Sequence, residues 1–230
     1  MCYNICKITI NKEKSMEIRP VAHIENDFKD KFAIPRQSGI ADNFLSTIVF
    51  ENEFANENAI RGIEGFSHLW LIWGFSRNIR DTHSLTVRPP RLGGNTRVGV
   101  FASRSPFRPN NLGLSSVRLI EVKGTRLIVS SADLLDGTPI YDIKPYIKFT
   151  DSHEDAISGF VEDFEFHSLN VIDNGLLEGI NPSIWDILSN DPRPAYHEDE
   201  NRIYGFRFAG YEIKFKVKGY DLIVISAENE

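Results

Sequence analysis

The feature of this chain that most limits its fold is a succession of short apolar runs, each ended by Gly, Pro, Asn or Asp. Runs rich in Val, Ile, Phe and Trp with such endings are typical of β-strands. They span Glu17 to Ile24, Thr47 to Phe50, Leu69 to Phe75, Arg97 to Ala102, Ser115 to Val122, Arg126 to Ser131, Tyr204 to Phe208, Tyr211 to Val217 and Leu222 to Ser226. Many short strands with few helix signals predict a mainly β protein, built as a barrel or a sandwich.

Two dipeptides have the composition of tight β-hairpin turns. Lys123-Gly124 separates the runs VRLIEV and TRLIVSSA, and Ala209-Gly210 separates YGFRF and YEIKFKV. Glycine is favoured in such turns because it adopts positive φ angles without steric cost. We therefore expect one hairpin in the middle of the chain and another near its end.

The clearest helix signal is the segment NPSIWDILSNDP. Asn181 can cap the helix, Pro182 fits its first position and Pro192 ends it. A shorter helix is expected in NENAIRGIEGF, before the run SHLWLIWGF. The chain becomes acidic and polar after Asp151, which indicates a domain boundary near residue 155. The predicted parts are an extension (1–15), a β-barrel domain (16–155) and a small α+β domain (156–230).

Composition excludes several classes of protein. No apolar run approaches the ~18 residues of a membrane helix, and the N-terminus lacks the pattern of a signal peptide, so a cytoplasmic location is expected. Cys2 and Cys6 are the only cysteines. A disulfide between them would close a very short loop and stabilise little, and two ligands rarely make a zinc site. No metal site is expected.

The positive charge of the chain is concentrated in one segment. The formal net charge is −6, yet residues 82–120 contain six arginines and no Asp, Glu or Lys, so the remainder carries −12. Arginine suits planar, bidentate contacts with phosphate or carboxylate. The segment is therefore either an anion-binding surface or a basic strand face balanced by acids from elsewhere.

Four polar clusters interrupt the strands, and each admits a structural reading. Arg36 and Gln37 follow a proline in KFAIPRQSG and could bind an amino-acid head group or phosphate, or form a surface turn. Ser67 and His68 open an apolar strand, where a histidine is more often structural than catalytic. The segment RPPRLGGNTRVGVF combines rigid prolines with flexible glycines, which lets backbone approach a ligand.

The fourth cluster, SADLLDGTPIYDIKPY, contains three carboxylates, Asp133, Asp136 and Asp142. Asp136-Gly137 is a turn signal, so a structural role for Asp136 is open. The spacing does not match an EF-hand loop, which makes a metal site a poor interpretation. Ionised carboxylates accept hydrogen bonds only, so ribose hydroxyls or a ligand ammonium are better partners.

None of the common nucleotide and hydrolase motifs is present. The sequence has no G-x-G-x-x-G after a first strand, no G-x-x-x-x-G-K-[ST], no H-E-x-x-H and no G-x-S-x-G. A nucleotide-like cofactor would therefore have to be held by the loops of a β-barrel.

Several blocks of sequence, taken in order, resemble one family. FAIPRQSG, RGIEGFSHLWLIWGF, TVRPPRLGGNTRVGVFASRSPFRPNNLGLSSVRL, DGTPIYDIKPY and DPRPAY are similar to the TsaA/TrmO-type tRNA threonylcarbamoyladenosine N6-methyltransferases. The resemblance implies a single-sheet β-barrel that uses S-adenosylmethionine, a small C-terminal domain and a homodimer. It also implies methylation of N6 in threonylcarbamoyladenosine, the base 3′ of the anticodon, and hence the tRNA anticodon stem-loop as partner. Asn111 stands where family members usually have proline.

The same resemblance implies roles for individual residues. The cofactor pocket would be formed by Pro35, Arg36, Gln37, Arg77, Asn78, Arg104, Leu114, Ser131 and Asp133. Charge suggests that Arg104 contacts the methionine carboxylate, and that Asp133 or Asp136 contacts the ammonium or the ribose. The tRNA phosphates would be bound by Arg88, Arg91, Arg97 and Arg108, and Arg108 is also a candidate for the threonyl carboxylate.

The reaction needs a group that helps N6 lose its proton, because the nitrogen belongs to a urea and is a weak nucleophile. Asp136 is the first choice, and His68 and Tyr141 are the others. Two other classes of function remain open from sequence. They are a non-catalytic RNA- or anion-binding barrel and a ligand-sensing module without transfer activity.

Overall fold

A computed structural model describes residues 17–29, 34–35, 37–39, 43–77, 84–89, 96–162, 167–193 and 199–229. The strands are β1 Ala22–Glu25, β2 Leu45–Phe50, β3 His68–Gly74, β4 Thr86–Val87, β5 Val98–Gly99, β6 Leu112–Lys123, β7 Arg126–Ser130, β8 Pro139–Pro145, β9 Asn170–Ile172, β10 Tyr204–Phe208, β11 Tyr211–Lys218 and β12 Asp221–Asn229. The α-helices are α1 Lys148–Asp151 and α2 Ser183–Ser189, and one-turn 3₁₀ helices span Ile63–Gly65, Val100–Ala102 and Gly159–Val161. The prediction of a mainly β chain is confirmed.

Six strands close into an antiparallel barrel in the order β1-β2-β7-β6-β3-β8. The alternation of side chains along β3 shows how the sequence specifies it: Leu69 and Leu71 are fully buried, while Trp70 and Ile72 are only half-buried. Closure pairs every strand on both sides, which removes the exposed edges that favour aggregation. The single-sheet barrel expected from the family resemblance is confirmed.

The second sheet lies in the C-terminal part and has the order β10-β11-β12-β9. Its own apolar cluster buries one face of β10 and β11, in which buried and more exposed side chains alternate. The turn Ala209-Gly210 joins these two strands with φ angles of 51° and 81°. Two consecutive positive φ angles match the twist of a hairpin, so this turn was predictable from sequence.

The loop between β1 and β2 contacts the C-terminal core. The rings of Phe28 and Phe44 lie 4.0 Å apart, and they lie 5.9 Å and 5.8 Å from that of Phe208. Both phenylalanines are completely buried. The loop that carries Pro35 and Gln37 is therefore held near both of its ends by the C-terminal sheet. The domain boundary near residue 155 stays a prediction.

Several segments differ from the sequence-based expectation: β1 begins at Ala22 rather than Glu17, and β4, β9 and α1 were not predicted. The strand predicted for Arg97 to Ala102 is shorter, because β5 ends at Gly99 and the chain turns into a 3₁₀ helix. The N–H of Val100 donates to the Leu85 carbonyl, and the Ser103 hydroxyl donates to the Val100 carbonyl, which stabilises the turn. Strand β8 was not predicted, because prolines and an aspartate conceal its apolar residues.

Within the described residues, no helix has the length and apolar character needed to cross a bilayer. Residues 1–16 lie outside them, so the predicted extension at 1–15 is not covered.

Candidate active site

A cavity of about 690 Å³, the first cavity, lies beside the end of β3 and the start of β6. Its volume is in the range of small-molecule sites. The strands contribute Trp70, Trp73 and Leu114, and loops close the remaining sides. Six residues predicted to bind the cofactor line it: Pro35, Gln37, Arg77, Arg104, Leu114 and Asp133. Sequences far apart in the chain thus meet at one place on the barrel.

Three further predicted cofactor residues have other positions. Ser131 does not line the first cavity, but its carbonyl accepts a hydrogen bond of 3.3 Å from the N–H of Gly39. It thereby connects β7 to the loop that carries Gln37. Arg36 and Asn78 lie outside the described residues.

A chain of hydrogen bonds orients Asp133 at the cavity wall. The indole Nε1 of Trp73 donates to the Ser115 hydroxyl at 2.9 Å, and that hydroxyl donates to Oδ1 of Asp133 at 2.5 Å. Trp73 and Ser115 are both buried. Because buried Trp73 and Ser115 bond to each other and to Oδ1 of Asp133, the carboxylate is held in one orientation.

The position of the Trp73 ring depends on a glycine. A Cβ atom at Gly113, which pairs with Trp73 across the sheet, would lie 2.3 Å from an atom of the indole ring. Neither the rigid indole ring nor the strand backbone can shift far enough to relieve such an overlap. Gly113 is therefore required by the close approach of the ring, and sequence reasoning did not identify it or Ser115.

The position of Asp133 in the cavity wall alters the pKa of its carboxyl group. Desolvation raises its pKa above the usual range for a carboxyl, and the opposing contributions of the Ser115 hydroxyl, the Ser38 N–H and the charge of Arg104 only partly offset this. A carboxylate that is costly to keep ionised in isolation favours a cationic or hydrogen-bond-donating ligand. Asp133 is the only acidic side chain among the described residues that line the first cavity.

Arg104 contributes positive charge to the first cavity, whereas Asp133 contributes negative charge. It is exposed, and its Nη1 donates to Oε1 of Gln37 at 3.0 Å. Arg77 also lines the first cavity. The site therefore presents a carboxylate and guanidinium groups in one cavity, together with the apolar side chains of Ile34, Leu114 and Leu135.

Arg108, predicted to bind tRNA, contacts the protein's own backbone. Its Nη1 donates to the carbonyls of Ser103 at 2.6 Å and Val100 at 3.2 Å. Its guanidinium carbon also lies 5.7 Å from the centroid of the Phe101 ring. These contacts stabilise the turn at residues 100–103. The predicted contact with phosphate remains a prediction.

The neighbouring loop follows a path that proline cannot take. Asn111 has a φ of 45°, whereas proline is restricted to about −65°. Its side-chain amide donates to the Pro106 carbonyl at 2.8 Å. Asparagine at this position thus gives the loop a conformation that the family's proline would exclude.

Asp136, His68 and Tyr141 are the side chains predicted to accept the proton. None of them lines the first cavity or the second cavity, which adjoins it. Asp136 accepts from Lys29 Nζ at 2.6 Å and from the Asn26 N–H at 2.9 Å. Partial burial alone would raise its pKa, but the Lys29 and Asn26 hydrogen bonds and the Lys29 charge outweigh this and lower it. Asp136 thus fixes the turn that follows β7.

His68 and Tyr141 also have local partners. Nδ1 of His68 lies 2.9 Å from the Ser67 hydroxyl. The Tyr141 ring packs over Gly74, where a Cβ atom would lie 2.8 Å from the ring. Catalytic roles for these residues remain predictions.

The other arginines of the basic segment differ in their contacts. Arg97 donates from Nη1 to the Thr86 hydroxyl at 3.1 Å, across the β4-β5 pair. Arg88 is exposed and has no hydrogen bond or ion pair with the rest of the described chain. Arg91 lies outside the described residues. Among the predicted phosphate ligands that the structure describes, Arg88 is the most available for an external anion.

A second cavity, of about 980 Å³, adjoins the first. The two share Gln37, Ser103, Arg104 and Pro106 in their walls. Arg88 and three aromatic residues, Phe101, Phe107 and Phe160, also line the second cavity. Sequence reasoning identified Arg88 but not the aromatic residues.

The first cavity fits S-adenosylmethionine by the chemistry of its groups. Asp133 suits the ammonium or the ribose hydroxyls, an arginine suits the carboxylate, and the apolar side chains suit the adenine and the methylene groups. Across the described part of the chain, no group of three or more His, Cys, Asp or Glu residues could hold a metal ion.

Comparisons with known proteins identify the family of this chain. Residues 23–152 match the family model for the tRNA-methyltransferase O N-terminal domain, and residues 175–230 match that for the TrmO C-terminal domain. The Escherichia coli tRNA (adenine(37)-N6)-methyltransferase is 36% identical, over 93% of this chain and 98% of the relative. A Pseudomonas aeruginosa protein, provisionally named as an S-adenosylmethionine-dependent methyltransferase, is 39% identical over 90% of this chain and 94% of its own.

Solved structures give the same result. A crystal structure of TrmO from Pseudomonas aeruginosa matches 94% of this chain and 100% of its own length, with a TM-score of 0.75 and 29% identity. The family models together cover both the barrel and the C-terminal sheet. The chain belongs to the tRNA-methyltransferase O family.

Proposed function

We propose that this protein is a tRNA methyltransferase that uses S-adenosylmethionine to methylate N6 of the adenine at position 37, the base 3′ of the anticodon. The observation that carries this function is the first cavity, in which a half-buried carboxylate and exposed guanidinium groups lie together on the barrel of a methyltransferase family. The family resemblance further supports threonylcarbamoyladenosine as the form of the base that is methylated.

S-adenosylmethionine supplies an activated methyl group when bound, so the protein's main task is to align the acceptor nitrogen and exclude water. Asp133, held by Ser115, accepts hydrogen bonds from the ligand's ammonium or ribose hydroxyls. Arg104 binds the carboxylate, and Gln37 orients Arg104 through its side-chain oxygen. Trp73 and Leu114 cover the ligand's apolar surface.

The acceptor nitrogen must lose a proton as the new bond forms. Asp136, His68 and Tyr141 remain the predicted acceptors of that proton. Their contacts in the structure are local, so any of them would have to reach the substrate after a rearrangement or through water. Replacing each in turn and measuring the pH dependence of single-turnover methyl transfer would identify the residue, if one is used.

We also propose that the protein acts in the cytoplasm as a homodimer. The family resemblance supports this arrangement, and the large exposed apolar side chains Phe149 and Ile157, 87% and 85% exposed, are available for a contact between copies. Sedimentation equilibrium of the purified protein tests the dimer, and a monomeric mass at micromolar concentration would contradict it.

The function is tested by isotope transfer. Purified protein is incubated with methyl-deuterated S-adenosylmethionine and tRNA from a strain that lacks this gene, and the nucleosides are analysed by mass spectrometry. We expect the label on N6 of the modified adenine at position 37, and much less label in tRNA that lacks the threonylcarbamoyl group. Binding of S-adenosylmethionine without any labelled nucleoside would instead favour a ligand-sensing or RNA-binding barrel.

A further inference from the structure

The second cavity has the composition of a nucleobase site. Three phenylalanines, Phe101, Phe107 and Phe160, line it, and no Asp or Glu does so among the residues that the structure describes. Proteins recognise single-stranded RNA by stacking unpaired bases on aromatic side chains. An aromatic cavity whose described walls carry no acidic side chain therefore suits a planar base attached to an anionic backbone.

Phe101 is the side chain best placed to contact such a base. Its ring is 74% exposed, although it follows Val100, which is buried. The exposure is imposed by the backbone, because Val100 is fixed by bonds to Leu85, Ser103 and Arg108. The Arg108 guanidinium carbon lies 5.7 Å from the ring centroid and restricts it further. The ring is thus exposed to solvent but held in place.

The two cavities are adjacent, which is the geometry that methyl transfer needs. Gln37 and Arg104 are hydrogen bonded to each other and line both cavities. A ligand in the first cavity and a base in the second would meet at the border that Gln37, Ser103, Arg104 and Pro106 form. Proximity of donor and acceptor is the main requirement of the reaction.

Arg88 supplies the charge that an RNA ligand requires. It lines the second cavity, is exposed, and makes no hydrogen bond or ion pair with the described part of the chain. A guanidinium group in this state can bind a phosphate without first breaking a contact within the protein. The cavity therefore combines a stacking surface with a free cation.

We propose that the second cavity receives the extruded purine nucleotide of the tRNA anticodon loop, with its base against Phe101 and a neighbouring phosphate on Arg88. The inference rests on the proposed function and assigns the position of its substrate. The loop is single-stranded, so the base can leave its stack at modest cost. Phe101 acts as a substrate-binding residue, and Arg108 as a positioning residue that holds the turn carrying it.

The test compares Phe101→Ala, Phe101→Trp and Tyr220→Ala. Tyr220 is a matched control, since it is a 63% exposed aromatic residue at the β11-β12 turn and lines neither cavity. The affinity for an anticodon stem-loop RNA is measured by fluorescence anisotropy, KM and kcat with the full tRNA, and the affinity for S-adenosylmethionine by calorimetry. Loss of one stacked base by substitution to alanine weakens RNA binding roughly 5- to 150-fold.

We expect Phe101→Ala to raise KM and the RNA dissociation constant within that range, while the affinity for S-adenosylmethionine is unchanged. Phe101→Trp should restore RNA affinity, which a purely structural role of phenylalanine would not predict. Tyr220→Ala should leave all three quantities unchanged. Thermal melting monitors folding, and the high exposure of Phe101 predicts that the alanine variant folds.

Two results would overturn the inference. One is an unchanged RNA affinity and KM in Phe101→Ala while the wild-type protein methylates tRNA; the proposed function would then stand and only the base site would fail. The other is a changed sedimentation coefficient of Phe101→Ala with unchanged RNA affinity, which would assign the ring to a contact between two copies. Absence of methyl transfer by the wild-type protein would contradict the proposed function itself.

Discussion

The first and second cavities share a wall, but they differ in whether their key side chains have partners within the protein. In the first, Asp133 is held by Ser115, which is held by Trp73, and each of these bonds lies within the protein. In the second, Phe101 is mostly exposed and Arg88 has no partner in the described chain. The difference fits the proposal that the first cavity binds the cofactor and the second binds a base of the RNA.

The anchoring of the first cavity extends to the C-terminal sheet. Phe28 and Phe44 are buried beside Phe208 and hold the loop that carries Gln37. The second cavity shares Gln37 with the first, but its aromatic residues lie elsewhere: Phe101 and Phe160 lie on the 3₁₀ helices at residues 100–102 and 159–161, and Phe107 lies in the loop after the first of them. The C-terminal sheet therefore supports a loop that lines both cavities.

The largest expected effect is that of Gly113→Ala, which should disrupt the first cavity selectively. The added Cβ overlaps the Trp73 ring, and overpacking of this kind costs about 1–3 kcal/mol of folding free energy. Displacement of the ring removes the partner of Ser115, so we expect S-adenosylmethionine binding to fall below detection in calorimetry. Gly65→Ala is the control, since its Cβ would meet nothing within 4 Å. Cofactor affinity equal to that of the control would show that the ring does not need this close approach.

Arg104→Ala should weaken the binding of both S-adenosylmethionine and the RNA, because this side chain lines both cavities. Loss of a hydrogen bond to a charged group costs about 1.5–3 kcal/mol, or roughly 10- to 150-fold in affinity for S-adenosylmethionine, and the exposure of Arg104 favours the lower end. Calorimetry measures the affinity for S-adenosylmethionine, and fluorescence anisotropy measures the affinity for the RNA. Unchanged affinity for S-adenosylmethionine would remove Arg104 from the cofactor site.

The raised pKa of Asp133 predicts opposite pH dependences for binding and stability. As the pH falls through this pKa the carboxylate takes up a proton, so affinity for S-adenosylmethionine should fall at a higher pH than an ordinary carboxyl would give. Stability should change the other way: this group stabilises the fold below its unfolded pKa, and that contribution is lost as the pH rises to the folded pKa.

Asp133→Asn is the isosteric variant that tests this relation. It keeps an acceptor for Ser115 and removes the titration, so both pH dependences should flatten in calorimetry and in denaturant unfolding. Persistence of the acid-side loss of affinity in this variant would assign the titration to another group.

The smallest effect is expected for Arg88→Ala, which should alter the second cavity alone. Removal of one phosphate contact should lower the slope of log K against log salt concentration by about 1 and leave S-adenosylmethionine binding unchanged. Arg126→Ala is the control, since Arg126 pairs with Glu25 on the barrel and lines neither cavity. An equal salt slope in the two variants would exclude a phosphate contact at Arg88.

Much of the barrel could be predicted because its strands alternate buried and exposed side chains and end at turn residues. Strand β8 was missed because its prolines, which lie at its two ends, are normally read as breaks. The run Arg97 to Ala102 was assigned as a strand because it is short and rich in apolar residues, but hydrogen bonds from Ser103 and Arg108 to the Val100 carbonyl bend it into a turn. Such tertiary contacts leave no local signal.

The candidate site shows the same division. The family resemblance placed Gln37, Arg104 and Asp133 in one pocket, and the structure brings them together. It did not indicate Ser115 or Gly113, because their roles depend on the register of β6 against Trp73. Phe101 was overlooked because it belonged to an apparent strand, and its exposure follows only from the turn.

The most direct test of the two-cavity arrangement measures, in parallel, the affinities of Asp133→Asn and Phe101→Ala for S-adenosylmethionine and for the anticodon stem-loop RNA. The predicted result is a crossed pattern: the first variant loses affinity for S-adenosylmethionine and keeps its affinity for the anticodon stem-loop RNA, while the second does the reverse. If both variants lose affinity for the same ligand, or if both keep their affinity for the two ligands, the donor and the acceptor do not occupy these two cavities.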